Sequence, residues 1–479
     1  MNKSMVRFLL SKLLLIEAAL LIVPLIVALI YQEKLATIFS LLGTMAILLF
    51  IGSMGIIVKP KNRHIYTKEG LLIVALCWVL WSFFGALPFV FTGQIPSIID
   101  AFFEVSSGFT TTGATILPDV SVLSHSLLFW RSFTHLIGGM GVLVFALAIM
   151  ENSKNSHLEV MRAEVPGPVF GKVVSKLKDT AQILYIIYLA MFTIFAFILW
   201  VAGMPFYDSL VTAMGTAGTG GFTVFNDSIA HYHSSLITNL VALGMLAFGV
   251  NFNLYYLLLI RKFKSFFGDE ELRVYIGIVL VSTLLIWLNV GGLFNTAAKG
   301  LEISFFQVAT VITTTGFGIT NLTVWPLFSQ FILLLLMFIG GSAGSTAGGF
   351  KVMRSLILSK IAKNQVLSNL YPNRVMSLHI NHQPLDKRIQ HSVLKYLTIY
   401  LAIFIGLVFI LTLDSNKFLV VFSAAASAFN NIGPMLGTDK TFAIFSPFSK
   451  LVLSFAMIAG RLEIYPMLLL FIPKTWSKI

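Results

Sequence analysis

The chain of 479 residues is poor in charge, and poorest in acidic residues and cysteine. Only 11% of its residues are Asp, Glu, Lys or Arg, where a soluble domain carries about 25%. With 57% hydrophobic residues and a mean hydropathy of +0.89, too few polar groups remain to cover a soluble enzyme of this length. One cysteine, Cys77 in an apolar run, excludes an internal disulfide and a cysteine metal cluster. No Ser/His/Asp set or paired-carboxylate site stands out in the apolar runs, so no catalytic residue is assigned. His379 and His382 have the i,i+3 spacing of some metal ligands but lie in a polar, basic loop without further ligands nearby.

What the sequence has is runs of apolar residues 18 or more long, enough to cross about 30 Å of hydrocarbon. The expected fold is an all-α polytopic membrane protein embedded in a lipid bilayer. The run Leu13–Tyr31 is too long for a signal-peptide core, and no small-residue cleavage site follows it. A net charge of +13 would suggest nucleic acid in a soluble protein. Here 26 of the 33 Lys and Arg residues collect in alternate gaps between the runs: 1–12, 59–68, 151–178, 261–273, 351–395 and 474–479. The positive-inside rule makes those gaps, and both termini, cytoplasmic. Acidic lipid headgroups account for the charge, and no nucleic acid is expected.

The runs recur in a fixed order. A hairpin comes first, at about 12–31 and 37–58. One pattern then appears four times: a long run, a shorter segment ending in Thr/Gly-rich sequence, and a second long run. The first runs lie near 71–92, 181–204, 274–294 and 393–413. The second lie near 127–150, 236–260, 328–357 and 449–472. The expected units are 1–68 (the hairpin), 69–178, 179–272, 273–390 and 391–479. The short segments end in SSGFTTTGAT (106–115), GTAGTGGFTV (215–224), VITTTGFGIT (311–320) and AFNNIGPMLG (428–437), which aligns Gly113, Gly220, Gly316 and Gly433. Ten to twelve helical residues cover about half a bilayer, so each segment should enter from one face and turn back. All four repeats then share one orientation and can surround one axis. A half-helix entering from outside points its partially negative C-terminal end at the membrane centre, and successive carbonyls beyond it can replace a cation's hydration shell.

These four segments resemble the Trk/Ktr/HKT superfamily of potassium transporters, in its TrkH-like branch. Further matches are WRSFTHLIGGMGV (130–142), GGSAGSTAGGFKV (340–352) and GRLEIYPMLLL (460–470). The resemblance covers about residues 70–479. It implies four repeats of helix, pore helix, filter and helix around one pore. It also implies a filter lined by Thr111, Thr112 and Gly113; Gly218, Thr219 and Gly220; Thr314, Thr315 and Gly316; and Asn431, Ile432 and Gly433. The fourth segment carries Met435 where many relatives have a second glycine.

Gly340, Gly341, Gly344, Gly348 and Gly349, with Ser342, Ser345 and Thr346, lack the GK[ST] ending and preceding strand of a phosphate loop. Midway along an apolar run, they instead predict an interrupted spanning helix, a mark of a pathway. By resemblance this is an intramembrane gate below the filter. Arg461, inside an apolar run, costs at least ~2.5–3.5 kcal/mol against lipid and must face protein or water. It aligns with the family's arginine in the fourth inner helix and is assigned to the gate. Arg131, at the start of a span, is expected to snorkel to the surface.

The resulting expectation is potassium uptake across the cytoplasmic (inner) membrane of a prokaryote through a gated, channel-like pore. Potassium in the pore is the only bound species expected, with no covalent cofactor. The chain has no nucleotide-binding domain of its own. The resemblance implies a cytoplasmic nucleotide-binding regulatory subunit as partner, docking on 151–178 and 351–395, and a homodimer of the pore protein. The alternative is a secondary transporter coupling potassium to protons or sodium. It needs an intramembrane titratable relay, for which the candidates are Glu17, Glu104 and Glu463.

Overall fold

The computed structural model describes residues 2–62, 65–141, 177–371, 373 and 377–476. The sequence-predicted docking loop 151–178 therefore falls, up to residue 176, outside the described residues. The chain is an all-α polytopic membrane protein. Six helices among the described residues are long and apolar enough to cross a membrane. They coincide with the hairpin and the four first runs read from the sequence.

The hairpin comprises α1 (Lys3–Leu20) with α2 (Ile22–Ile30), and α3 (Leu35–Ile57). It packs on α4 (Thr67–Phe91), the first long helix of repeat one. The short helix α5 (Ile98–Phe109) and the inner helix α6 (His125–Gly139) complete that repeat. Repeat two runs through α7 (Leu177–Val201), the short helix α8 (Phe206–Gly218), and α9 (Ser235–Phe248) with α10 (Phe252–Leu259). After the linking helix α11 (Phe263–Gly268), repeat three comprises α12 (Glu270–Val290), the short α13 (Ala297–Ile312), and α14 (Leu327–Ile339) with α15 (Val352–Leu370). A two-stranded hairpin, β1 (His379–Ile380) and β2 (Gln383–Pro384), precedes repeat four. That repeat comprises α16 (Lys387–Leu411), the short α17 (Phe418–Asn430), and α18 (Pro447–Arg461) with α19 (Tyr465–Phe471). The chain continues into α20 (Pro473–Trp476).

The short helices explain how the ring closes. They hold 12, 13, 16 and 13 residues, or about 18–24 Å at 1.5 Å per residue. Each is buried along most of its length, as a half-span at membrane depth must be. Each also packs against the inner helix of the preceding repeat: α8 on α6, α13 on α9, α17 on α14, and α5 on α18. The last pair joins the first repeat to the fourth, so four similar units enclose one axis. Large apolar side chains such as Val201, Leu288 and Phe409 remain exposed on α7, α12 and α16, as a lipid-facing wall requires.

One expectation changes. The second runs read as continuous spans except at 340–349, yet those of repeats two and four are broken as well, and the helix of repeat one stops short of its run. In repeat one α6 ends at Gly139, with Gly141 at φ +78. In repeat two α9 and α10 meet at 92° across Gly249–Asn251, and the Asn251 side chain accepts from the Asn253 amide. In repeat four Glu463 and Ile464 adopt φ of +61 and +70 between α18 and α19. Their apolar flanks hid these breaks.

Candidate functional site: a ring of four turns and the loop beneath it

Every short helix ends in the same backbone device. Thr111, Thr219, Thr314 and Asn431 take φ of +54, +55, +55 and +57. Asn tolerates this left-handed region, but for a β-branched Thr it is a true outlier. Three such residues at equivalent positions mark a conformation that the surrounding fold imposes. The next residue returns to the helix: the amides of Thr112, Gly220, Thr315 and Ile432 donate to the carbonyls of Ser107, Gly215, Thr310 and Ser427 at 2.8–2.9 Å. Two residues past each left-handed position comes a glycine with positive φ: Gly113 at +77, Gly221 at +78, Gly316 at +85 and Gly433 at +106.

This register corrects the sequence alignment in repeat two, where Gly221 rather than Gly220 is equivalent to Gly113. The predicted set Gly218, Thr219 and Gly220 shifts by one, to Thr219, Gly220 and Gly221. Gly218 is the last residue of α8. Consecutive glycines left two registers open in the sequence, and the helix end selects one. Gly218 and Gly220 are small for another reason. A Cβ on Gly218 would lie 2.2 Å from the His135 carbonyl oxygen, and one on Gly220 would lie 2.3 Å from the His135 ring.

The four turns abut in order. A Cβ on Gly113 would lie 1.9 Å from the Gly220 carbonyl oxygen, on Gly221 1.9 Å from that of Thr315, on Gly316 2.1 Å from that of Ile432, and on Gly433 2.8 Å from that of Thr112. Four equivalent oxygens thus face four equivalent glycines, and the circuit closes from repeat four to repeat one. Side chains brace it unequally. Thr110 shares a hydrogen bond with Thr112 at 2.7 Å, and Thr313 with Thr315 at 2.8 Å. Asn431 Nδ2 donates to Thr112 Oγ1 and to the Met457 carbonyl, both at 2.9 Å.

On one side of the ring sits a polar cluster. Arg131 is 3% exposed, so it does not snorkel as expected. Its Nε donates to Glu104 at 2.6 Å, and the guanidinium lies 3.5 Å from the centroid of the Phe222 ring. Glu104 also accepts from the Thr115 hydroxyl and the Ile116 amide. The partner stands 27 residues away on the short helix, a pairing no local pattern reveals. Beyond it, the loops of repeats one and two are tied by Asn226, which donates to Asp119 at 2.7 Å and, with Ser121, holds that carboxylate below its usual range.

Residues 340–351 lie against the opposite side. The segment doubles back: the amides of Phe350 and Lys351 donate to the carbonyls of Phe338 and Ile339, and a Cβ on Gly340 would lie 2.4 Å from the Gly348 carbonyl. Its backbone ties it to its own repeat and to repeat two. The Gly348 amide donates to Thr314 Oγ1 at 2.6 Å, the Ser342 amide to the Gly249 carbonyl at 3.0 Å, and the Phe252 amide to the Gly344 carbonyl at 3.1 Å. Ser345 is buried and bonds back to the Ser342 carbonyl. Gly341 sits close to Ala347, and Gly349 against Gly340. Arg461, buried, donates to the Thr346 carbonyl at 2.6 Å and to the Gly138 and Gly139 carbonyls at 2.7 and 2.5 Å. Those last two lie at the C-terminal end of α6, where a cation is favoured. Glu463 pairs with Arg354 on α15, and Lys351 Nζ bonds the Ala347 carbonyl. Every predicted gate residue is therefore in or against this loop.

The family model for TrkH, described as a cation transport protein, matches residues 39–478. The chain belongs to the TrkH family. It is 35% identical over 469 residues to the Trk system potassium uptake protein TrkH of Salmonella typhimurium, covering 95% of this chain and 96% of the relative. It is 31% identical over 462 residues to the Trk system potassium uptake protein TrkG of Escherichia coli strain K12, covering 95% and 94%. The crystal structure of the potassium transporter TrkH from Vibrio parahaemolyticus matches with a TM-score of 0.89 at 30% identity, over 100% of both chains. The structural match extends over the N-terminal hairpin as well as the helices that follow it.

Proposed function

We propose that this chain takes up potassium across the cytoplasmic membrane through the ring of four turns. The observation that carries the proposal is the recurrence of one strained backbone device at four equivalent places around one axis. Carbonyl oxygens held there can replace the hydration shell of a dehydrated cation without any carboxylate. The similarity to potassium uptake proteins supplies the ion. The ligands are the turns Thr111–Gly113, Thr219–Gly221, Thr314–Gly316 and Asn431–Gly433. The loop 340–351 is the gate, and Arg461 fixes it to the ends of α6 and α18.

Both termini are cytoplasmic in this reading, so the gate lies on the cytoplasmic side of the filter. Conduction is inward because the cell interior is negative. A nucleotide-binding regulatory subunit controls the gate, with the basic stretch 351–395 among its docking surfaces, and the pore protein is a homodimer. A coupled secondary transporter loses ground because two of its three candidate carboxylates are engaged: Glu104 by Arg131, and Glu463 by Arg354.

Single-channel recording of the purified protein in a bilayer tests the mechanism. Unitary currents far above about 10³ ions per second, the upper range of enzyme-like cycles, are expected. A purified, active protein that never exceeds that rate while driving proton or sodium movement in proportion to potassium would establish the coupled transporter instead.

A further inference from the structure

The start of α12 carries three consecutive acids, Asp269 as its N-cap and Glu270 and Glu271 in its first turn. The first two are half-buried, while Glu271 is 1% exposed. Its Oε1 accepts from the Ala343 amide at 2.7 Å and from the Met353 amide at 3.0 Å. Those donors bracket the second half of the loop 340–351. Met353 lies in the first turn of α15, where backbone amides have no partner within the helix. That helix is preceded by Lys351, whose side chain makes no capping bond. Its N-terminus is capped instead by a carboxylate 82 residues earlier in sequence, on a different helix. A local Ser or Asp would have satisfied the amide and travelled with the loop. One carboxylate on α12 thus holds both the loop, at Ala343, and the start of α15, so the loop cannot move away from α15 without breaking the Ala343 bond.

The anchoring end is itself secured. Asn381, in the turn of the β1–β2 hairpin, donates to Asp269 at 2.9 Å and accepts from the Glu270 amide at 2.8 Å. Lys360 on α15 pairs with Glu270 and donates to the His379 carbonyl. Beneath these polar ties Ala343 of the loop clusters with Met353 and Ile357 of α15, with Ile380 of the hairpin and with Leu378 just before it. The loop is thus held at Ala343 by both an apolar contact and a carboxylate.

We propose that Glu271 is the positioning residue of the gate: its carboxylate latches the loop 340–351 across the path, with the hairpin His379–Pro384 as the anchor of the latch. This rests on the gate reading given above. A carboxylate that merely satisfied two buried amides would stabilise the fold without setting the flux.

The test uses full-length protein in potassium-loaded liposomes with no partner present. Glu271→Ala removes the acceptor, and flux is expected to rise about tenfold, a shift of about 1.4 kcal/mol. Glu271→Asp keeps the charge but shortens the reach, and is expected to behave as the alanine variant does. Glu271→Gln keeps an oxygen able to accept both amides, and is expected to stay within about twofold of wild type, ~0.4 kcal/mol on the same scale. A second readout is thiol labelling of Ser345→Cys in a Cys77→Ala background. The buried cysteine should react faster when the latch is broken. A folded alanine variant with unchanged flux and labelling overturns the latch. If the alanine variant does not fold, equal flux from the Asp and Gln variants overturns it. Deleting Ser342–Ser345 separates the two readings. Raised flux on deletion with no effect at Glu271 sinks the latch alone, whereas no rise on deletion sinks the gate and the latch together.

Discussion

The amide of Gly348 donates to the hydroxyl of Thr314 at 2.6 Å, which joins the loop beneath the ring to one of the four strained turns. In the proposed reading this bond ties the gate to the filter, so that the loop cannot leave without orphaning a buried donor or acceptor.

Thr314→Val preserves shape and removes that acceptor. Leaving a buried N–H unsatisfied costs about 1–3 kcal/mol, borne only by the conformation in which Gly348 faces Thr314. The loop should move away more often, and partner-free potassium flux in liposomes should rise at least fivefold, about 1 kcal/mol. Thr314→Ser retains the hydroxyl and should keep flux nearer wild type. Equal flux from both variants would separate the loop from the filter.

The glycines of repeat two offer a test of register. A Cβ on Gly221 would strike the Thr315 carbonyl, which is backbone, whereas one on Gly220 would strike the ring of His135. Gly220→Ala should therefore be partly rescued by His135→Ala. Gly221→Ala should not be rescued, because the obstacle is part of the ring itself. Gly113→Ser, equivalent to Gly221, should weaken preference for potassium over sodium in a competition uptake assay. Thermal stability read with the double variants gives the coupling. Rescue at Gly221 and none at Gly220 would restore the alignment first read from the sequence.

Much of this arrangement was legible. The six long spans and the four Thr/Gly-rich turns follow from run length and from a repeated pattern. The loop at 340–349 announces itself by five glycines in ten residues. What stayed hidden depended on partners distant in sequence. The break at Glu463–Ile464 contains no glycine, and its carboxylate pairs with Arg354 more than a hundred residues away. Gly220 and Gly221 are interchangeable on paper until the end of α8 fixes which one follows the left-handed Thr219. Arg131 reads as a surface cation because Glu104 lies on another helix.

Burial of that pair leads to a stability prediction. A snorkelling Arg131 could be replaced by Gln with a change within about 0.5 kcal/mol. A buried one leaves Glu104 uncompensated, which costs about 3–5 kcal/mol. Arg131→Gln should lower the melting temperature and the yield of folded protein. Arg131→Gln with Glu104→Gln should recover part of the loss, since no buried charge is stranded. Equal stability of wild type and single variant would put Arg131 back at the surface.

Arg461 combines charge with architecture, and the two roles can be separated. Its guanidinium joins the Thr346 carbonyl of the loop to the Gly138 and Gly139 carbonyls of α6, so one side chain links repeats four, three and one. A cation ~6 Å from a passing potassium ion, at an effective dielectric of ~20, opposes it by roughly 3 kcal/mol, or about a hundredfold in rate. Water in the path lowers that figure. Arg461→Gln removes the charge and some of the ties, so maximal flux should rise between about tenfold and a hundredfold, with little change in apparent affinity because the filter is untouched. Arg461→Lys retains the charge but replaces a planar fork with a single ammonium on a shorter reach. It cannot hold the loop and α6 together as arginine does. Its flux should fall between wild type and the glutamine variant if both roles matter. It should match wild type if only the charge matters, and match the glutamine variant if only the ties do. Flux normalised to folded protein decides among these, and a folded glutamine variant with wild-type flux would remove Arg461 from the gate.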